Sequence, residues 1–554
     1  MTSVRGVSTG SRVQDVTTEA HGLRFGAWSP VLISVVVTAV GAVLWVTVFP
    51  RVGTDLSAQI ARAGWASRYP GSAYLFNWYG GVYPASYALL TPYLLAVVGV
   101  RLGTAVAAII AAGLLGLLLS RHQVPHSRAA AVWAGVVLCT QFTAGRSAFT
   151  LGVAAGLGCL AALALRQAWV RLLAVGLLAP LTSAFSPVAG LFLGIAAAVL
   201  LLTGRRIDGL VIGVGAALPI ALMTALFRDG GVQPIGYQNA VPAVLSAAGV
   251  LVFVPRRWRL VRLGALIYAL VVITVWTVPT PIGSNVERLG ELLIGPLLAG
   301  MAGLTPPWSA GGSRLGSRRS ATPTAGGAAG FPWRIPVALA LTAAATWQLI
   351  QPITDLSHGN GPMYVPQTAA LISELRTLHA GTARVEAVPQ YGHWESQQLA
   401  SVVWLARGWE RQVDVTRNPL FYGGTLSPAA YYSWLRSNAV RYVAISAAIP
   451  DFAATAEADV IRFGGPWLVP VWRDSFWTLY RVAGTLPLAS PPATVTATTP
   501  AQITVRLSRA GTTIVRVRWS PWLRVSGNAT VAQHGEWTSL TVPRAGSYTM
   551  SAPY

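Results

Sequence analysis

The chain has 554 residues, 53% hydrophobic and 10% charged, with a mean hydropathy of +0.53. Soluble domains carry about 25% charged residues, so this composition excludes a purely water-soluble fold and points to a polytopic membrane protein. The formal net charge is +22, from 40 basic residues, all arginine, and 18 acidic ones; the soluble part has no basic patch with interleaved aromatics, so the excess marks cytoplasmic loops rather than a nucleic-acid surface.

Residues 1–29 are polar and read as a cytoplasmic tail. Apolar runs follow near 30–49, 103–119, 129–144, 148–165, 170–185, 187–203, 209–227, 240–255, 261–279, 288–304 and 335–351. Each is close to the ~17–25 residues that a helix needs to cross a bilayer, which predicts a bundle of about eleven transmembrane helices. The first run is too long for the apolar stretch of a secretory signal and lacks a small-residue cleavage site, so it reads as a true span. Cys139 and Cys159 lie inside apolar runs and fit neither a disulfide framework nor a metal-ligand spacing.

One further apolar segment, Tyr83 to Val100, is left out of the spans. Without it, Arg5, Arg12, Arg24, Arg121, Arg128, Arg166, Arg171, Arg205, Arg206, Arg256, Arg257, Arg259, Arg262, Arg314, Arg318, Arg319 and Arg334 face the cytoplasm. Only Arg51, Arg62, Arg68, Arg101, Arg146, Arg228 and Arg288 then lie opposite, as the positive-inside rule requires. Pro84 and Pro92 also suit a broken helix along or within the outer leaflet better than a straight span. The transmembrane domain is then 30–351, with a first outer loop at 50–102 and a Gly/Ser/Pro/Arg-rich cytoplasmic loop at 305–334. The N-terminus is cytoplasmic and the C-terminal domain extracytoplasmic, in a multi-pass protein of the cytoplasmic (inner) membrane.

The outer domain divides at about residue 485. Residues 355–485 mix an amphipathic run at Pro366–His379, a helix at Ser427–Ser437 and alternating strands at Arg441–Ser446 and Trp477–Val482, which predicts an α/β unit. Residues 486–554 hold short Thr/Val/Arg runs such as Ile503–Leu507 and Thr513–Trp519, broken by Gly and Pro, which predicts a β-sandwich.

Carboxylates are scarce outside that domain. Asp55 follows the first span and precedes an amphipathic stretch and Asn77-Trp-Tyr-Gly-Gly-Val-Tyr-Pro-Ala-Ser-Tyr87. A carboxylate among aromatics at a membrane surface suits a general base; it also suits a helix N-cap. Arg101, Arg146 and Arg288 each sit where a span meets the outer interface. Converging, their planar donor forks would hold a lipid phosphate; singly, each is an interfacial anchor among membrane lipids. Ser183–Pro187 makes a tight outer turn, and Glu287 and Glu291 flank Arg288 either as one helix face or as ion-pair partners. In the outer domain, His393-Trp394-Glu395 and Arg407-Gly-Trp409-Glu410-Arg411 mix rings with charges, a pattern shared by sugar-binding surfaces and by ordinary domain packing. No nucleotide-binding motif is present.

The first-loop Asp55, the Pro-containing aromatic segment ending near Gly99 and Arg101, the Ala-Gly-Arg146 turn and Gly283-Ser-Asn-Val-Glu-Arg-Leu289 together resemble the GT-C superfamily of membrane glycosyltransferases. Arg407–Gln412 and Asn418-Pro-Leu-Phe-Tyr422 resemble the outer domain of its actinobacterial multi-span members. The resemblance implies a first-loop aspartate acting as base, here Asp55, and a polyprenyl-phosphate-linked sugar as donor. It departs from the superfamily at residues 53 and 57, Gly and Ser where several branches place a second carboxylate; a divalent cation therefore stays open as a cofactor.

The reading that follows is an inverting glycosyltransferase acting on the outer membrane face. Asp55 is the base, Arg101, Arg146 and Arg288 hold the lipid phosphate, and Trp78, Tyr79, His393, Trp394, Trp409 and Glu410 are candidates for binding an envelope glycan, lipid or protein acceptor. The rival class is a transporter, flippase or glycan-binding scaffold without catalysis. The sequence shows neither the internal repeats nor the mid-membrane charges that a transporter would carry.

Overall fold

The computed structural model describes residues 25–50, 53–301, 334–358 and 365–554. The predicted tail before Phe25, and nearly all of the predicted cytoplasmic loop, lie outside these residues. The membrane-side helices are α1 (Phe25–Thr47), α2 (Leu56–Arg68), α3 (Thr91–Val98), α4 (Val100–Arg121), α5 (Ser127–Thr143), α6 (Ser147–Ala162), α7 (Ala168–Phe185), α8 (Pro187–Leu202), α9 (Arg206–Leu226), α10 (Tyr237–Phe253), α11 (Arg259–Thr277), α12 (Arg288–Met301) and α13 (Arg334–His358). Six of them, α1, α4, α7, α9, α11 and α13, are long and apolar enough to cross a bilayer; α6, α8 and α10 are apolar but shorter. The chain is a multi-pass membrane protein.

Side-chain distribution follows the solvent. On α9, Ile207, Leu210, Val214, Leu218 and Leu222 are exposed at helical spacing, as lipid-facing residues are. Inward faces carry small residues, because helix association in lipid depends on close backbone approach. A Cβ on Gly116 would lie 2.8 Å from the Pro30 carbonyl oxygen, and one on Gly135 would lie 3.1 Å from that of Ser34. Ser34 Oγ donates to Ala112 O at 2.8 Å, tying α1 to α4.

The segment Tyr83–Val100 is no single helix. A short turn at Pro84–Ser86 precedes α3, whose eight residues extend only ~12 Å against a hydrocarbon core of ~30 Å. At the other end of the bundle, α13 runs to His358, past the predicted end of its span at 351. Its polar residues broke the apolar run but find partners inside the protein. Gln348 Oε1 accepts from Trp133 Nε1 at 2.7 Å, and Gln351 Nε2 donates to Asp355 Oδ1 at 2.8 Å.

The C-terminal domain, the outer domain of the predicted topology, contains α14 (Val365–Thr377), β1 (Arg384–Ala387), α15 (Trp394–Gln398), β2 (Trp404–Leu405), α16 (Arg411–Arg417), α17 (Pro428–Ser437), β3 (Val440–Ser446), α18 (Thr455–Phe463), β4 (Leu468–Arg473) and β5 (Trp477–Val482). Its sheet has the order β2-β1-β3-β5-β4, with β2, β1 and β3 parallel and β5 antiparallel to β3. Seven strands follow: β6 (Ala493–Thr499), β7 (Gln502–Leu507), β8 (Gly511–Arg518), β9 (Arg524–Val525), β10 (Thr530–His534), β11 (Trp537–Val542) and β12 (Gly546–Ser551). They form sheets of order β6-β7-β12-β9 and β10-β11-β8. Alternate residues Ile503, Val505 and Leu507 of β7 and Val515 and Val517 of β8 fill the core.

The first outer loop of the predicted topology runs through this domain instead of lying beside the bundle. Ala73 N donates to Ala552 O at 2.7 Å, Phe76 N to Pro500 O at 2.7 Å, Leu405 N to Asn77 O at 2.9 Å and Arg518 N to Gly80 O at 2.8 Å. Tyr74, Leu75, Phe76, Trp78, Tyr79 and Tyr83 are buried in the shared cores. With β2 only two residues long and β1 four, the domain completes its core with the loop's aromatics.

A charged cluster lies inside the α/β unit. Arg407 donates to both oxygens of Asp414, at 3.1 and 2.6 Å, and to Glu457 at 2.9 Å. Burial would raise Asp414, but Arg407 outweighs it and holds the carboxyl below its ordinary range. Burial and the charge of Glu457 push Glu386 well up. Removing one partner of such a buried set leaves charge uncompensated, at a cost of ~3–5 kcal/mol. Arg407→Ala should therefore destabilise the outer domain by about that amount, read from denaturant unfolding followed by tryptophan fluorescence.

Candidate active site at the first outer loop

Two backbone turns lock together where α1 gives way to α2. Asp55 N donates to Ala144 O at 3.2 Å. Gly53 has φ +121°, and a Cβ there would lie 2.5 Å from Thr143 O; Gly145 has φ +77°, and its Cβ would lie 2.3 Å from Leu56 N. Both positions need glycine for conformation and for space. The lock fixes Asp55 against the turn that carries Arg146. It also explains the departure at residue 53, where no side chain, and hence no second carboxylate, fits.

Asp55 occupies the N-cap position of α2, but its side chain makes no capping hydrogen bond. Its Oδ2 instead accepts from Arg288 Nη2 at 3.2 Å, and the side chain remains 22% exposed, open enough for a substrate to reach it. Arg288 also lies over the Phe149 ring. Arg146 Nη1 donates to Glu291 Oε2 at 2.5 Å and to Gln141 Oε1 at 3.2 Å. Burial alone would lower Arg146, but the charges of Glu291, Asp55 and Glu287 raise it, so it stays cationic. Glu287 accepts from Asn239 Nδ2 at 3.0 Å, and burial together with Glu291 raises its pKa. The structure thus brings Asp55, Arg146, Arg288, Glu287 and Glu291 together. Arg101 Nη2 donates to Phe49 O at 3.2 Å, and its guanidinium covers Trp45 at 4.8 Å.

Three residues beside Asp55 escaped the sequence reading. Asp55, Gln59 and Arg62 recur at i, i+4 and i+7 along one face of α2, a spacing that could have exposed them. Gln59 Nε2 donates to Tyr87 Oη at 3.2 Å, and Arg62 lies over the Tyr87 ring at 4.1 Å while pairing with Glu410 at 2.6 Å. Burial, then the charge of Asp55, raises the Tyr87 phenol.

Of the residues predicted to bind an acceptor, Trp78, Tyr79, His393, Trp394 and Glu410 are buried, and Trp409 is partly exposed. Trp78 and Tyr79 belong to the outer-domain core. Trp394 packs with Trp45, Leu56 and Phe142. Glu410 is held by Arg62 and by Tyr79, whose hydroxyl accepts from Glu410 N at 3.0 Å. These rings lie beside charges because the loop and the domain share one interior, so they are packed and not displayed. Among the described residues no three His, Cys, Asp or Glu side chains gather to hold a metal ion.

The segment after β2 faces two ways. Arg407 and Arg411 turn into the outer domain, whereas Trp409 Nε1 donates to Thr54 O at 2.7 Å. His393 stacks on Trp409 at 3.5 Å and 8°, and Arg411 covers the Trp409 ring at 4.7 Å. His393 lies 3.4 Å from Asp451 and 3.7 Å from Glu395. Burial would lower its pKa, but the two carboxylates outweigh burial and raise it.

In comparison with known proteins, residues 490–533 match a family described as a domain of unknown function, DUF8823. No curated protein sequence matches the chain. Among solved structures, the fold is similar to arabinofuranosyltransferase AftD from Mycobacteria, with a TM-score of 0.41 and 13% identity over 96% of this chain and 57% of that one. The chain thus spans a little over half the length of that enzyme.

Two outcomes follow from this geometry. Gly53→Asp forces a side chain into left-handed backbone against Thr143 O, and should lower stability by about 1–3 kcal/mol or more, seen as a lower melting temperature with no gain of metal binding by calorimetry. For His393, whose pKa is raised on folding, the stabilisation is full below its unfolded value of ~6.5 and is lost as pH rises through the folded value. Melting temperature should therefore fall from pH 6 to pH 8 by more in the wild type than in His393→Gln.

Proposed function

We propose that this protein is an inverting membrane glycosyltransferase of the GT-C type, using a polyprenyl-phosphate-linked sugar on the outer face of the cytoplasmic membrane. The observation that carries this reading is Asp55: a partly exposed carboxylate that caps no helix, fixed by a glycine–glycine backbone lock, and facing Arg288 with Arg146 beside it.

In this reading the acceptor hydroxyl approaches Asp55 and gives up its proton to the carboxylate. The acceptor oxygen bonds to the anomeric carbon as the bond from that carbon to the phosphate oxygen breaks, which inverts the anomeric configuration. The departing electron pair goes to the lipid phosphate, whose growing charge falls to Arg288 and Arg146, fixed donors in a site of low dielectric. Arg101, the third arginine of the sequence reading, donates to Phe49 O and lies over Trp45, and in this reading it stands at the rim of that phosphate site. The acceptor belongs to the cell envelope, and the outer domain forms the wall along which it reaches Asp55.

Asp55→Asn keeps the size of the side chain and removes the proton acceptor. Purified protein assayed with a polyprenyl-phosphate-linked sugar and an oligosaccharide acceptor should lose transfer by ~100-fold or more while donor binding is retained. Full activity in Asp55→Asn would reject the base and would favour a non-catalytic scaffold.

A further inference from the structure

Four planar groups stack in the outer domain above the Asp55 turn. His393 lies on Trp409 at 3.5 Å, Arg411 covers the Trp409 ring at 4.7 Å, and Phe452 lies 4.5 Å from the Arg411 guanidinium. The stack is pinned at its centre. Asp451 takes both arms of Arg411, at 2.8 and 2.7 Å, and lies 3.4 Å from His393. Tyr422 Oη accepts from Arg411 at 3.0 Å and donates to Asp414 at 2.6 Å, which joins the stack to the buried Arg407 cluster. Trp409 cannot rotate without breaking these contacts, and its indole N–H ends on Thr54 O, one residue before Asp55.

We propose that Trp409, held by His393 and Arg411, is a positioning residue that clamps the Thr54–Asp55 turn, so that the outer domain sets the aim of the base without touching substrate. This rests on the reading of Asp55 as the base, but the clamp itself is measurable without any substrate.

The geometry gives the clamp a specific job. The Asp55 turn is held from the membrane side by the backbone lock with residues 143–145. From the domain side the indole N–H grips the Thr54 carbonyl, whose peptide plane leads directly into Asp55. Losing a hydrogen bond of this kind shifts a local opening equilibrium by roughly 5- to 10-fold. A carboxylate that swings by an ångström loses alignment with the hydroxyl it must deprotonate. The expected signature is a fall in turnover with the Michaelis constant nearly unchanged.

The test is hydrogen–deuterium exchange of the full-length protein in nanodiscs, read by mass spectrometry. Trp409→Phe keeps a ring between His393 and Arg411 but removes the N–H. Exchange in the peptide spanning residues 53–59 should quicken about 5- to 10-fold, with β3 unchanged, and His393→Gln should quicken the same peptide through loss of the stack. Unchanged exchange at 53–59 in both variants would overturn the clamp, as would acceleration spread equally over β3. Asp55→Asn separates the two ideas. If it keeps full transfer while Trp409→Phe still loosens the turn, the clamp stands and the base falls. If it abolishes transfer while Trp409→Phe leaves exchange and turnover at wild-type values, the base stands and the clamp falls.

Discussion

The structure depends on the first outer loop being an interior strand of connection instead of a surface loop. Residues 71–83 hydrogen-bond through their backbone to Ala552, Pro500, Leu405 and Arg518, and their aromatic side chains fill cores that the outer-domain sheets alone leave open. Buried backbone polar groups must be paired, and here the partners come from segments more than three hundred residues away. The loop therefore cannot fold before the C-terminal domain does, and the membrane bundle and outer domain are bound through one shared core. Asp55 lies at the membrane end of that connection.

Charge is organised by the same constraint. Acidic residues are few, and four of those near the membrane side answer an arginine: Asp55 with Arg288, Glu291 with Arg146, Glu410 with Arg62 and Asp229 with Arg417. Two of these four pairs, Arg62–Glu410 and Arg417–Asp229, join the outer domain to the loop or to the bundle. Burial pushes Asp229 up to about 6 although Arg417 opposes the shift, which shows how far from water this junction lies. An all-arginine chain suits such a role, because a guanidinium stays charged when buried and binds a carboxylate through two donors.

Much of the architecture was legible in sequence because apolar length and strand alternation are local signals. The helices fall on the apolar runs, β5 coincides with Trp477–Val482, and Pro84 and Pro92 mark a segment broken into a turn and a short helix. The helix α13 runs past the predicted span end because Gln351 and Asp355 read as an exit from the membrane, whereas they bond to each other and to Tyr391. Asp55 could be singled out because carboxylates are rare at that surface. Its neighbours Gln59 and Arg62 share its helix face and could have been weighed with it, but Tyr87 could not, since what distinguishes it is tertiary contact. The aromatic residues of 77–79 and 393–394 misled for the same reason: rings beside charges look alike in sequence whether they face a sugar or a core.

The pairing of Asp55 with Arg288 has a consequence for the proposed reaction. Asp55 and Arg288, the base and the arginine of the leaving phosphate in that reaction, pair with each other at 3.2 Å. The donor's phosphodiester, with one negative charge on two free oxygens, competes with Asp55 for the guanidinium, and it gains a second charge and a third free oxygen as the sugar leaves. As Arg288 turns to the phosphate, the Asp55 carboxylate is freed to accept from the acceptor hydroxyl. The backbone lock and the Trp409 contact keep the carboxylate in place while its partner leaves. Donor binding would thereby arm the base only when a sugar is present to receive the acceptor oxygen. No second carboxylate at residue 53 is needed for that exchange, because the switch is the arginine's change of partner.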